Sequence, residues 1–200
     1  MEVFGSGVSL KGVADHGTVS VLAFYIGSMT DNIILVDEND TQIGEGEKLD
    51  THKKGLLHRA FSVYVFNDKD ELMLQRRAKE KYHCGGLWTN TTCSHPAVGE
   101  EVGAAAHRRL VEEMGFDTEL KKVTEFIYKV PFDNGLTEHE YLHVFIGRHN
   151  EPPLLNREEA MDWQWITLDK LEQAIESTPA EYTYWMKKTL PFIREALITG

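Results

Sequence analysis

Glu100-Glu101-Val102-Gly103-Ala104-Ala105-Ala106-His107-Arg108-Arg109-Leu110-Val111-Glu112-Glu113-Met114-Gly115 is the stretch whose reading decides the fold. Val102, Ala106, Leu110 and Met114 recur at every fourth position, which predicts a helix from about Glu100 to Met114 with one apolar stripe. Glu100 and Glu101 suit the positive N-terminal end of such a helix, and Gly115 suits its C-terminal stop. Pro96 and Gly99 lie just before it, where a loop should enter.

That loop is the chemically richest part of the chain: Thr89-Asn90-Thr91-Thr92-Cys93-Ser94-His95-Pro96. If the segment is extended, Cys93 and His95 point to the same side. Matching chemistry stands at two other places. His52 and His58 flank Lys53-Lys54-Gly55; a helix would set them about 240° apart, so they share a face only on an extended or looped segment. Glu138 and Glu140 bracket His139, and on a strand the two carboxylates point one way and His139 the other. Three imidazoles, two carboxylates and a thiol make a metal-centred acid–base site, with a nitrogen/oxygen ligand set that suits Zn, Mn or Fe. The plain alternative is nine histidines scattered over an acidic surface. His16, His83, His107, His139, His143 and His149 are assigned to that alternative.

Cys84 reads as a small buried hydrophobe. Cys93 differs, because a nearby imidazole and nearby cations tune a thiol's proton affinity. The run Arg76-Arg77-Ala78-Lys79-Glu80-Lys81 follows a strand pattern directly. It is either a solvated loop or a binding loop for a phosphorylated ligand, to which arginine offers forked hydrogen bonds.

Two hundred residues, 42% hydrophobic and 26% charged, suit a soluble globular domain with a sizeable core. A net charge of −11 argues against nucleic acid as a partner, since a phosphate backbone needs a basic face. A small phosphorylated ligand needs only a few local cations. Two cysteines fit a reducing compartment. The apolar run Val19–Ile26 is too short to span a bilayer, and Glu2 with a lone Lys11 makes a poor basic leader. The expectation is a cytoplasmic protein with no membrane partner, monomeric by preference.

Residues 1–31 are glycine-rich and weakly patterned, which predicts a weakly structured N-terminal extension ahead of a domain over 32–200. Met29 then serves as a usable start, with residues 1–28 loosely attached. Ile33–Val36 and Thr41–Ile43 flank a turn-rich segment and predict a hairpin; Ala60–Phe66 and Glu71–Arg76 predict a second around Asn67-Asp68-Lys69-Asp70. Strands are expected at Glu125–Val130 and Glu138–Ile146, and helices at Leu168–Glu176 and Ala180–Leu197. The order predicts an α+β fold, an α/β sandwich of mixed β-sheets flanked by helices.

The opening stretch resembles the tail of a Nudix box, Gly-x5-Glu-x7-Arg-Glu-U-x-Glu-Glu-x-Gly-U with U aliphatic. Glu100, Arg108, Leu110, Glu112, Glu113 and Gly115 fall on register. Ser94 stands where the box has its first glycine, and Arg109 replaces a carboxylate of the set that binds Mg²⁺ in diphosphate hydrolysis. With Gly55-Leu56-Leu57-His58-Arg59-Ala60-Phe61-Ser62, Trp88-Thr89-Asn90, Cys93-Ser94-His95-Pro96, Glu138-His139-Glu140 and Trp185-Met186, the chain from Ile33 to Leu190 resembles the metal-dependent (type I) isopentenyl-diphosphate isomerases, a Nudix-fold family. The motif His83-Cys84-Gly85-Gly86 departs by lacking a proline and an aromatic found in some members.

The resemblance implies that His52, His58, His95, Glu138 and Glu140 bind one divalent metal, Mn²⁺ or Zn²⁺. It implies that Glu113 and the backbone carbonyl of Cys93 hold a Mg²⁺ that also meets the substrate diphosphate. Lys48, Arg77 and Lys81 match diphosphate-contacting cations, Cys93 and Glu140 the catalytic pair, and Tyr128 and Trp185 the aromatic lining. The implied reaction moves a double bond by protonation to a tertiary carbocation and loss of another proton. A Nudix diphosphohydrolase and a non-catalytic metal- or nucleotide-binding module are the rival readings. Arg109 counts against the first, and the presence of both Cys93 and Glu140 against the second.

Overall fold

The structure, a computed structural model, describes residues 31–199. The expected extension over residues 1–31, with its start at Met29, lies outside the described residues but for Asp31.

The first hairpin pairs β1 (Asn32–Val36) with β2 (Gln42–Glu47) in antiparallel register. Asp37 closes its turn by accepting the N–H groups of Asn39 and Thr41 at 2.8 and 2.9 Å. The chain then forms α1 (Lys48–Lys54), a helix the sequence reading did not anticipate. Two things hold this short helix. The Glu47 carboxylate accepts the N–H groups of Leu49 and Asp50, and Gly55 ends it in the left-handed conformation at φ 61°.

β3 (His58–Phe66) is buried along almost its whole length, because it has neighbours on every side. It pairs with β1 at His58, with β6 (Thr92–Ser94) at Phe61–Val63, and in parallel with β8 (Thr137–Arg148) from end to end. The second hairpin forms as expected at its turn, but β3 meets β4 (Glu71–Arg77) only at Phe66 and Leu72. Beyond that pair β4 turns to β5 (Trp88–Thr89) and β9 (Ala160–Thr167), so the two strands part.

The segment Asn90-Thr91-Thr92 is the polar wedge between them. The Thr91 hydroxyl accepts Val65 N–H at 2.9 Å and donates to Met73 carbonyl at 2.7 Å. Asn90 Nδ2 donates to the carbonyls of Val63 and Thr92. The bonds to Val63, Val65 and Met73 satisfy backbone groups of β3 and β4 where the strands diverge.

Alternation along β3 then sorts the core. Phe61, Val63 and Val65 pack with Met73, Phe145 and the stripe Ala105, Ala106, Leu110 and Met114 of α2 (Val102–Met114). Ala60, Tyr64 and Phe66 pack the other way, against Leu142, Val144, α3 (Leu168–Ser177) and α4 (Tyr184–Thr199). The result is a mixed sheet between helices, the α+β class expected. β7 (Leu120–Pro131) and β8 run longer than their sequence patterns, and β9 was not foreseen. Among the described residues no helix is long and apolar enough to cross a membrane.

Candidate active site

A cavity of about 450 Å³ opens where α1, β6, β8, α2 and the loop after β4 converge. His95 lines it, and His52 and His58 lie fully buried beside His95. His52 comes from the last turn of α1, His58 from the first residue of β3, and His95 from just beyond β6. The ring centres of His52 and His58 are 4.7 Å apart, those of His58 and His95 4.9 Å, and those of His52 and His95 5.4 Å. Helix and strand thus bring together two histidines that a single element could not.

Two of the rings are fixed by the backbone. His52 Nδ1 bonds the Lys48 carbonyl at 2.6 Å, and His58 Nδ1 bonds the Leu56 carbonyl at 2.8 Å. A carbonyl accepts only, so in the neutral ring Nδ1 carries the proton and Nε2 is left with a bare lone pair. Nε2 of His52, His58 and His95 and Oε2 of Glu138 are all buried with no hydrogen-bond partner. One ligand atom from each of these four residues lies within 4.8 Å of the others. Buried polar atoms without partners are costly, and four that converge fit a metal ion as their missing partner.

The carboxylates differ. Glu138 Oε2 is 3.2 Å from His52 Nε2 and 3.8 Å from His58 Nε2, and Glu140 Oε1 is 3.4 Å from His95 Nε2. Burial would raise Glu138, but His52 and His83 outweigh it and hold the carboxyl well below its usual range. Burial and the Glu138 charge drive Glu140 well above it, although Tyr128 donates its hydroxyl to Glu140 Oε2 at 2.7 Å. His58 is pushed down to about 4 by burial.

Cys93 faces the same cavity from β6, whose neighbour β3 it shares with Glu140 on β8. Burial pushes its thiol up to about 12, so near neutral pH it holds its proton. The Arg77 guanidinium stands 3.9 Å from the sulfur and 5.4 Å over the Trp185 ring. Trp185 is locked by donating its indole N–H to Thr89 at 3.0 Å. Lys48 and Lys81 also line the cavity, the latter paired with Glu159.

Glu113 from α2 is buried and accepts Gln75 at 2.8 Å and Arg109 at 2.8 and 3.1 Å. Both Arg109 bonds fall on Oε1, and Oε2, which accepts Gln75, keeps a second lone pair that a cation could use. All the residues singled out from the sequence therefore lie on or against one cavity, with Tyr128 reaching it through Glu140. His83, assigned to the scattered histidines, lines it too, with Nε2 2.6 Å from Glu138 Oε1. Arg109 and Glu159 were also missed as neighbours; only the box departure at Arg109 hinted at either.

Comparison with known proteins now bears on the arrangement. The NUDIX domain pattern matches residues 56–187. Isopentenyl-diphosphate Delta-isomerase 2 of Photorhabdus laumondii is 53% identical over 162 residues, covering 81% of this chain and 92% of that protein. The protein of the same name from Aromatoleum aromaticum is 51% identical, over 81% of this chain and 86% of its own. The chain belongs to the isopentenyl-diphosphate isomerase family of Nudix proteins.

Solved structures agree on the fold alone. One from Deinococcus radiodurans superposes with a TM-score of 0.62 at 19% identity, over 73% of this chain and 89% of its own. The MutT protein of Methanosarcina mazei gives 0.57 at 17% identity, over 70% and 95%. Within this isomerase-family chain, Arg109 does more than remove a carboxylate from the Nudix helix. It forms ion pairs with Glu112 at 2.8 Å, Glu113 at 2.8 Å and Glu159 at 3.0 Å, so the remaining helix glutamates already face a cation.

Proposed function

We propose that this protein interconverts isopentenyl and dimethylallyl diphosphate, with Cys93 and Glu140 as the proton-transferring pair. The observation that carries the reading is that these two groups, from strands on either side of β3, line one cavity together with Lys48, Arg77, Lys81 and Arg109. The alkene of the substrate is unactivated, so moving it requires a proton delivered to one carbon and another removed from a different one. One of the pair must enter the step with its proton and the other without it. Burial favours the protonated form of both, and a bound divalent ion, by favouring the Glu140 carboxylate, would supply the base.

The tertiary carbocation between the two steps must be kept from water. The face of Trp185 offers its quadrupole to such a charge. Tyr128 steadies Glu140 through their hydrogen bond. The cations hold the diphosphate, and this binding positions a small apolar tail that has little else to grip.

His52, His58, His95, Glu138 and Glu140 would hold one divalent ion, Mn²⁺ or Zn²⁺, whose charge offsets that of the two buried carboxylates. Glu113 and the Cys93 carbonyl would hold a Mg²⁺ that screens the diphosphate. A diphosphohydrolase is disfavoured by the tie of Arg109 to Glu112 and Glu113. The reading carries no nucleic-acid or membrane partner and suits a cytoplasmic monomer. Incubation of the purified protein with isopentenyl diphosphate should yield dimethylallyl diphosphate; released phosphate without it would make the protein a hydrolase.

A further inference from the structure

Two imidazoles line the cavity, His95 and His83, and of these His83 has no place in the ligand set proposed above. It lies in the loop between β4 and β5, 7% exposed, and its Nε2 is 2.6 Å from Glu138 Oε1. The other oxygen of the same carboxylate, Oε2, faces His52 and His58. The two halves of Glu138 thus point to different partners. Oε1 lies in close contact with His83, and the Nε2 atoms of His52 and His58 lie near Oε2.

The ring of His83 is itself firmly set. It stacks on Phe132 at 5.5 Å and 28°, and meets Tyr82 at 4.3 Å and Trp185 at 5.9 Å edge-on. Its backbone carbonyl accepts Arg77 at 3.3 Å. A carboxylate oxygen only accepts, so at 2.6 Å from Glu138 Oε1 the ring's N–H belongs on Nε2. Direct metal ligation fits His83 poorly. Its ring centre is 5.9 Å from that of His52, farther than any pair within the cluster, and its Nε2 lies 2.6 Å from Oε1 rather than at Oε2, where His52 and His58 stand.

We propose that His83 is a positioning residue that holds Glu138 Oε1 and thereby turns Oε2 toward the His52–His58–His95 cluster, so that divalent-metal affinity at that cluster depends on it. The inference rests on the metal reading of the cluster given under the proposed function. Groups that hydrogen-bond a ligating side chain typically govern metal affinity by about tenfold to a hundredfold.

The test strips the full-length protein with a chelator and titrates it with Mn²⁺, following free Mn²⁺ by electron paramagnetic resonance. His83→Phe keeps the ring stacked on Phe132 and removes the donor. His83→Gln restores a donor near the place of Nε2. The expected result is Mn²⁺ binding weakened about tenfold to a hundredfold in His83→Phe, near-wild-type binding in His83→Gln, and recovery of kcat in His83→Phe at saturating Mn²⁺. Wild-type affinity in His83→Phe would overturn the proposal. So would equal weakening in both variants, which would make the imidazole itself a ligand. His58→Ala separates the two levels: if it binds Mn²⁺ like the wild type, the metal reading fails and the proposal with it. If His58→Ala loses the ion while His83→Phe keeps it, only the role of His83 fails.

Discussion

Glu140 takes part in four relationships at once: the Tyr128 hydroxyl at 2.7 Å, His95 at 3.4 Å, His58 at 4.0 Å, and the charge of Glu138. Tyr128 is the only one of these that is neither a candidate ligand nor a second carboxylate, so it can be removed cleanly. A hydrogen bond to a group that carries charge is worth about 1.5–3 kcal/mol. Tyr128→Phe should therefore lower turnover about tenfold to a hundredfold, with metal content unchanged; unchanged turnover would leave Tyr128 a packing residue. At this scale the sequence was informative where a residue's type and immediate neighbours carried the signal. Cys93 with His95, and Glu138 with Glu140, could be paired because two-residue spacing is the strand period, and both pairs reach the cavity. His83 could not, because its partner Glu138 is brought to it only by the return of β8. Arg109 stood out as a departure from the box, but its bond to Glu159 depends on where β9 begins.

At the scale of elements, α2 shows how one glycine fixes a helix in place. Gly115 has φ 76°, and a Cβ there would lie 2.6 Å from the Leu154 carbonyl oxygen. Gly115→Ala adds the left-handed penalty of about 1–2 kcal/mol to a clash with backbone. Thermal unfolding should shift down by at least about 2–4 °C, the effect of 1 kcal/mol in a chain of this size. An unchanged Tm would mean that the loop at Leu154 yields without cost. The helix was legible because its stripe and stop signal agree, and the two hairpins were legible from their turns. α1 escaped notice since seven residues hold too little periodicity, and its cap is a glutamate rather than a usual Ser, Thr, Asp or Asn. β9 did carry a signal: Met161, Trp163 and Trp165 alternate with Asp162 and Gln164. The parting of β3 from β4 was beyond sequence reading, because the Asn90–Thr92 wedge acts through backbone groups of both strands.

Across the whole molecule, a net charge of −11 coexists with a cavity that gathers Lys48, Arg77, Lys81 and Arg109. Glu159 stitches that wall together by pairing with both Lys81 and Arg109. Burial would raise its carboxyl, but the two cations hold it at about 2, below its ordinary 4.5. A depressed carboxyl stabilises the fold above its ordinary value, and the contribution is lost as pH falls from about 4.5 toward 2. Urea unfolding across that window should show a shallower acid decline in Glu159→Gln than in the wild type; parallel curves would show that the pairs add nothing to stability. The central claim is chemical and is tested most directly by running the reaction in D₂O. Wild-type protein should place solvent deuterium in dimethylallyl diphosphate without releasing phosphate. Cys93→Ala and Glu140→Gln should each lose at least about a hundredfold in turnover, with metal content measured alongside for Glu140→Gln. Near-normal turnover in Cys93→Ala, or product free of deuterium, would contradict the two-group proton transfer.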